Sequence, residues 1–370
     1  MSGRFSATKL MEAPIERAAF SDRMAYVCAE LSSAAYFPFE GGAKKYEVME
    51  LLQKKLRSEH FSQVSAILNS AMPLNASPSS ARKEFEKELK PGNFKLEEVF
   101  SEDGCEAFLA TRDIKTVSAN TKRLAFLVFR GSEKSIDDWR RNAKAKLVPP
   151  TDENGEVIEK HKNLRFHAGY LDFYQTLEKD IIKKLDDIKY DQLFITGHSL
   201  GGAVAVVATR LLPYEIRGAC YTYGAPPVGH KSIQHGLKTP CYQIINENDL
   251  VPNLPNPWIA LALRLLLSLV KALSNFFLFL KPFFEGTLDE KAHAFLTTQI
   301  GFEHPGYVSY LIGEGRNVRL RLSLRFFSKL TVLSKTLWNG SWFSSSKKMI
   351  DDHAIGVYVE KLKRHGLSRN

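Results

Sequence analysis

Ser199 stands within the run Gly197-His198-Ser199-Leu200-Gly201-Gly202. A serine hydroxyl is a weak nucleophile until a neighbouring base takes its proton. The short apolar run 193–196 precedes it and the apolar run 203–208 follows it. This pattern predicts a strand, a sharp turn with the serine at its apex, and then a helix. Such a turn leaves the serine oxygen free at the end of a sheet. It also aims the helix N-terminus, with its unpaired N–H groups, at the reacting centre. The flanking glycines are needed because a Cβ would collide with the backbone of so tight a bend.

Three other segments supply the partners this chemistry needs. Phe129-Arg130-Gly131-Ser132 ends an apolar strand at 124–128, where a second donor to a developing oxyanion is expected. The Ser132 N–H fits that role beside the Leu200 N–H. Asn246-Glu247-Asn248-Asp249-Leu250-Val251-Pro252 follows the strand 242–245 and places Asp249 beyond the serine in chain order, with Pro252 stopping further pairing. Asp351-Asp352-His353 comes late, at the head of a helical run. His353 would take the Ser199 proton and return it to the leaving alkoxide, while Asp249 holds the ring and stabilises the imidazolium. Four histidines follow Asp249: His293, His304, His353 and His365. His304 precedes Pro305-Gly306, which suits a strand-entry histidine bonded to backbone, so His353 is the expected base.

In this order the segments resemble the class 3 lipases, also called the fungal-type lipases, of the α/β-hydrolase fold. The matching elements are Phe129-Arg130-Gly131-Ser132 with Trp139 downstream, Phe166-His167-Ala168-Gly169-Tyr170, and Gly197 to Gly202. Tyr223-Gly224-Ala225-Pro226-Pro227-Val228-Gly229, Asn246 to Pro255, and Asp352-His353 complete the set. They run from about residue 95 to 362, with a further helix near 17–36. The resemblance implies a central, mostly parallel sheet flanked by helices, a Ser199–Asp249–His353 triad, and hydrolysis of carboxylic esters of lipids. It does not fix which lipid.

Two regions depart from that family, and both concern membranes. The segment after Ser132, where secreted fungal members carry a short helical lid, is polar here: Glu133-Lys134-Ser135-Ile136-Asp137-Asp138-Trp139-Arg140-Arg141. The apolar cover is expected instead in an insertion at 257–284, directly after the Asp249 motif. Its Arg264, Ser268, Lys271 and Asn275 fall on one narrow helical stripe and the rest of the circumference is apolar. An interfacial helix doubling as a lid, a core helix and a membrane span all fit that pattern; a span would carry Lys271 near the bilayer centre at about 3 kcal/mol or more.

The second region is 315–350, with Arg316, Arg319, Arg321, Arg325, Lys329, Lys335, Lys347 and Lys348 and no acidic residue. The chain has 51 basic and 41 acidic residues, and without these eight the count is 43 against 41. Most of the net charge of +10 is therefore concentrated here, among Phe326, Phe327, Trp338, Trp342 and Phe343. Basic charge interleaved with aromatics suits an anionic bilayer surface. Residues 319–326 alternate strictly and predict a half-buried strand with a basic outer face. No nucleic-acid-binding module accompanies the charge, so nucleic acid is not an expected partner.

With 370 residues and 44% hydrophobic composition, the chain is read as one elaborated α/β-hydrolase domain over 1–370. N-terminal helices are expected across about 17–70, a loop at 77–80, and a hairpin turning at Asp103-Gly104. The N-terminus has no apolar signal-peptide core. Cys28, Cys105, Cys220 and Cys241 show no metal-site spacing and read as buried thiols of a reducing compartment. These features point to a cytoplasmic or peripheral-membrane protein, with leaderless export as the other route. The Walker lysine and the Rossmann glycine spacing are absent around Gly197–Gly202. The chemistry requires no metal or cofactor. The expected activity is lipase-type hydrolysis of acylglycerols. A phospholipase A acting on membrane phospholipids is the alternative, and a catalytically silent membrane-binding protein the third reading.

Overall fold

The computed structural model describes residues 4–11, 19–37, 78–115, 120–131, 146–214, 217–247, 249, 251–253, 302–322 and 351–369. The elements run α1 (Thr8–Met11), α2 (Asp22–Ala34), α3 (Pro78–Leu89), β1 (Lys95–Glu102), β2 (Cys105–Lys115) and β3 (Thr121–Phe129). Next are β4 (Leu147–Val148), β5 (Phe166–His167), α4 (Ala168–Asp187), β6 (Gln192–His198), α5 (Leu200–Leu211), β7 (Cys220–Tyr223) and β8 (Cys241–Asn246). The chain closes with β9 (Tyr307–Ile312), β10 (Arg319–Leu322) and α6 (Ile355–Arg369).

Among the described residues the main sheet has the order β1-β2-β3-β6-β7-β8-β9-β10. The strands β3, β6, β7, β8 and β9 are parallel neighbours, and the pairs at the two edges are antiparallel. Alternation along each strand splits the core between the faces. Phe126 and Val128 of β3 pack with α1, α2 and α6, whereas Ala125, Leu127 and Phe129 pack with α4 and α5. α4 buries Tyr170, Leu171, Tyr174, Leu177, Ile181 and Leu185 on one stripe, as helical periodicity requires. α5 is apolar nearly all round and correspondingly buried, with Ala203, Val204, Ala205, Val206, Val207 and Ala208 all inside. Parallel central strands, helices on both faces and a strand–serine–helix turn after β6 define an α/β-hydrolase fold.

That turn depends on close approach. A Cβ on Gly197 would lie 2.3 Å from the Gly201 carbonyl oxygen, and one on Gly201 would lie 2.3 Å from the Phe129 carbonyl oxygen. Strand β6, helix α5 and the end of β3 therefore meet at distances only glycine permits. The Asp103-Gly104 hairpin forms as expected between β1 and β2, with φ of 50° and 76° at its two central residues, the signature of a type I′ turn.

The structure corrects three local readings. Residues 78–80 belong to the first turn of α3 rather than to a loop, because proline at a first helical position loses no hydrogen bond and arrives with a helical φ. Helix α2 begins at Asp22 rather than near residue 17, where the Ser21 side chain caps it by accepting from the Met24 N–H. Cys105, at the mouth of the hairpin, is half-buried instead of buried, and its thiol is pushed up to about 11 by desolvation. The expected basic strand is present over Arg319–Leu322, with Arg319 and Arg321 exposed and Leu320 half-buried. No described helix is long and apolar enough to cross a membrane. The expected helices within 46–70, the segment 133–141, the insertion 257–284 and residues 323–350 lie outside the described residues.

Candidate active site

Ser199, Asp249 and His353 lie far apart in sequence and meet at the C-terminal ends of the parallel strands. Ser199 follows β6 directly and adopts φ 56°, ψ −128°, a strained conformation for a residue with a Cβ. Its N–H donates to the Tyr223 carbonyl at the end of β7 (2.9 Å). Its hydroxyl lies 2.8 Å from His353 Nε2. His353 Nδ1 lies 2.7 Å from Asp249 Oδ2. The Asp249 carboxylate is buried, and burial of a charge requires donors on it. Three are in place: the His353 ring N–H, the Tyr358 hydroxyl (2.6 Å) and the Val251 N–H on Oδ1 (2.9 Å).

Tyr358 is the fourth residue of α6. Its hydroxyl accepts from the Asn246 N–H at 3.0 Å and donates to Asp249. Burial, reinforced by the adjacent carboxylate, pushes Tyr358 well above the ordinary phenol range, so it remains a donor. Gly224, at the end of β7 with φ 58°, makes room for this cluster. A Cβ there would lie 2.8 Å from Asp249 Oδ2 and 3.1 Å from His353 Cε1.

Leu200 is the first residue of α5, so its N–H is among the first-turn donors with no intrahelical acceptor. Ser132, the other expected oxyanion donor, lies outside the described residues; Arg130, two positions earlier, is buried against Glu106 in an ion pair. His304 is not part of this cluster. Its Nδ1 faces Gln243 Oε1 (2.8 Å) and its Nε2 faces the Pro252 carbonyl (2.7 Å), so it braces the loop carrying Asp249 from below. His365 is buried near Asp22, and His293 lies outside the described residues. Among the described residues no group of three or more His, Cys, Asp or Glu side chains could hold a metal ion.

Tyr358 carries no motif signal of its own as a member of this cluster. The spacing of Tyr358 five residues beyond His353 is the available hint: His353 lies just before α6 and Tyr358 is its fourth residue.

Two buried histidines make stability depend on pH. Burial holds His198 well below the ordinary imidazole range, and desolvation lowers His167 to about 4. Each stays neutral in the fold but takes a proton in the unfolded chain once pH falls below about 6.5. The unfolded state then binds more protons, so stability present above about pH 6.5 is lost as pH falls. For His167 alone the loss approaches about 3 kcal/mol by pH 4. Urea midpoints measured from about pH 7.5 down to about 4.5 should fall progressively. The variant His167→Asn, which keeps a capping acceptor for the Gly169 N–H, should flatten part of that fall. A pH-independent midpoint would contradict the assignment.

This arrangement, a serine on a strained strand–helix turn joined through histidine to a buried aspartate, defines a site of the serine-hydrolase type. Residues 126–258 match the family Lipase (class 3). The chain is 29% identical over 149 residues to a lipase of Rhizomucor miehei, a match covering 37% of this chain and 39% of that protein. It is 32% identical over 101 residues to secreted mono- and diacylglycerol lipase 1 of Fusarium solani, covering 24% and 29%. It is also 33% identical over 99 residues to toxin TseL of Vibrio cholerae, covering 25% and 15%. The match spans about two fifths of the Rhizomucor protein and less of the other two. Among solved structures, the lipase of Rhizopus microsporus var. chinensis superposes with a TM-score of 0.44 at 20% identity, covering 68% of this chain and 73% of that one.

Proposed function

We propose that the protein hydrolyses carboxylic esters of lipids through an acyl-enzyme on Ser199. The observation that carries this reading is the continuous chain from Ser199 Oγ to His353 (2.8 Å) to the buried Asp249 (2.7 Å). In the first step Ser199 Oγ attacks the ester carbonyl carbon while His353 Nε2 takes its proton. The carbonyl π electrons move to oxygen, facing the N–H groups of Leu200 and Ser132. One such donor typically contributes about 3–4 kcal/mol to the transition state. Collapse re-forms the carbonyl, breaks the ester C–O bond, and the leaving alkoxide takes the proton from His353. Water then attacks the acyl-enzyme by the same relay and the fatty acid leaves. Asp249, itself held by the Tyr358 hydroxyl, holds the ring through both halves and offsets the imidazolium charge.

The names of the fungal relatives favour acylglycerols as the substrate class. A membrane surface is the second partner in this proposal, and one of anionic character suits the basic edge strand β10, where Arg319 and Arg321 are exposed. A cytoplasmic or peripheral-membrane location, or leaderless export, belongs to the same proposal. Fatty-acid release from emulsified long-chain acylglycerol, absent in Ser199→Ala, tests the substrate class; release from phospholipid vesicles only would replace acylglycerol with phospholipid.

Surface attraction contributes about 1 kcal/mol per Lys or Arg near an anionic bilayer and is screened beyond about 8–10 Å. Vesicle cosedimentation should therefore show stronger binding with anionic than with neutral lipid, weakening steeply with salt. Replacing Arg319, Arg321, Arg325 and Lys329 with Gln should remove most of the difference and leave hydrolysis of soluble esters intact. Equal, salt-insensitive binding to both vesicle types would contradict this role for the charge.

A further inference from the structure

The segment bearing His353 is not part of the sheet, yet its position relative to two strand ends must be held to within fractions of an ångström. The backbone there is interrupted at Ala354: the Val357 N–H donates to the Ala354 carbonyl and not to that of His353. The carbonyls of Asp352 and His353 lie directly before that interruption. Each is taken by a side chain from a different strand. Asn246 Nδ2, at the end of β8, lies 2.8 Å from the Asp352 oxygen. His198 Nε2, at the end of β6, lies 2.7 Å from the His353 oxygen.

These strands flank β7, and they are the ones that carry the other two members of the cluster. His198 immediately precedes Ser199, and Asn246 lies three residues before Asp249. We propose that His198 and Asn246 are positioning residues that clamp the backbone of His353, one setting its distance to Ser199 and the other its distance to Asp249. The clamp rests on the hydrolase reading above.

Each arm is itself braced. A carbonyl oxygen only accepts, so His198 carries its proton on Nε2 and presents a bare Nδ1 to the Tyr36 hydroxyl, 2.7 Å away at the end of α2. That hydroxyl also sits where a Cβ on Gly131 would fall, 2.2 Å from it, directly before the expected oxyanion donor Ser132. The tie to the base therefore runs against Gly131. On the other arm, Asn246 Oδ1 accepts from the buried Lys361 Nζ at 2.7 Å, which fixes the amide so that its N–H₂ faces Asp352. The neutrality of His198 also matters. Its ring centroid lies 4.7 Å from that of His353, where a second positive charge would oppose the imidazolium that forms in each half-reaction.

The test uses the full chain, a water-soluble short-chain ester, and the far-downfield proton resonance of the His353–Asp249 hydrogen bond. His198→Ala and Asn246→Ala should lower kcat about 10²-fold, the cost of displacing a reacting group by about 1 Å, with KM within about threefold of the parent. The resonance should broaden or vanish in both. His198→Gln, whose amide N–H reaches the place of Nε2–H, should recover about tenfold or more of the lost kcat. If the alanine variants do not fold, Asn246→Asp decides: it keeps the shape and the Lys361 partner but puts an oxygen against the Asp352 carbonyl, so kcat should fall as far. Folded variants with kcat within about threefold of the parent and an intact resonance would overturn the clamp. So would equal losses in His198→Gln and His198→Ala. A parent protein that shows the resonance but no Ser199-dependent hydrolysis would overturn the hydrolase reading, and the resonance in the variants would then judge the clamp alone.

Discussion

Ser199→Ala should leave a folded protein whose ester hydrolysis has fallen by about 10⁴–10⁶-fold, the loss typical of removing a serine nucleophile. The change deletes one oxygen atom. The turn around it is held by backbone: the Ser199 N–H bonds to Tyr223, and Gly197 and Gly201 allow the close approach of β6, α5 and β3. The strain at φ 56° belongs to any residue with a Cβ, so alanine carries no more of it than serine. A melting temperature near that of the parent, together with loss of turnover on a soluble chromogenic ester, is the expected pair of results. Turnover within about tenfold of the parent would contradict the role given to Ser199.

His353→Ala should be nearly as damaging, and the double variant with Ser199→Ala little worse than either change alone. The two residues act as one unit: without the base the hydroxyl is not deprotonated, and without the hydroxyl the base has nothing to activate. His304→Ala supplies the contrast. Its ring braces Gln243 and the Pro252 carbonyl and touches neither Ser199 nor His353 among the contacts described. Its loss loosens the Asp249 loop, so some decrease is expected, but a folded variant should keep far more kcat than His353→Ala. The opposite order, measured on the same soluble ester, would move the base to His304.

Much of this site is legible in the sequence. The apolar run ending in Gly197, the glycines at 201 and 202 and the small apolar residues after them leave few alternatives to a strand, a tight turn and a buried helix. Asp249 was legible because an acid following an apolar strand and preceding Val251-Pro252 can only fall at a strand end. What was not legible depends on juxtaposition across the sheet. Asn246 reads as a turn residue, and nothing local shows that its amide reaches the Asp352 carbonyl from over a hundred residues away. Tyr358 reads as one more apolar helix position, yet its hydroxyl is the bridge between Asn246 and Asp249. His198 reads as the variable residue of G-x-S-x-G, and its partners come from the N-terminal helix α2 and from the far end of the chain. Local chemistry misled at Pro78, where Ser-Pro-Ser-Ser suggests a loop but proline instead opens helix α3. For Asn246, Tyr358 and His198 the deciding contact is tertiary, and side-chain periodicity carries no record of it.

The most direct measurement is reaction with a fluorophosphonate followed by mass spectrometry of the peptides. Such a reagent phosphonylates a serine hydroxyl only where a base removes its proton and donors hold the phosphoryl oxygen, so it reports the assembled site without assuming a lipid substrate. The account predicts a single adduct, on Ser199, formed by the parent protein and by His304→Ala. It predicts no adduct with Ser199→Ala and one slower by orders of magnitude with His353→Ala. A folded parent that remains unmodified, or one labelled equally well when Ser199 is alanine, would contradict it.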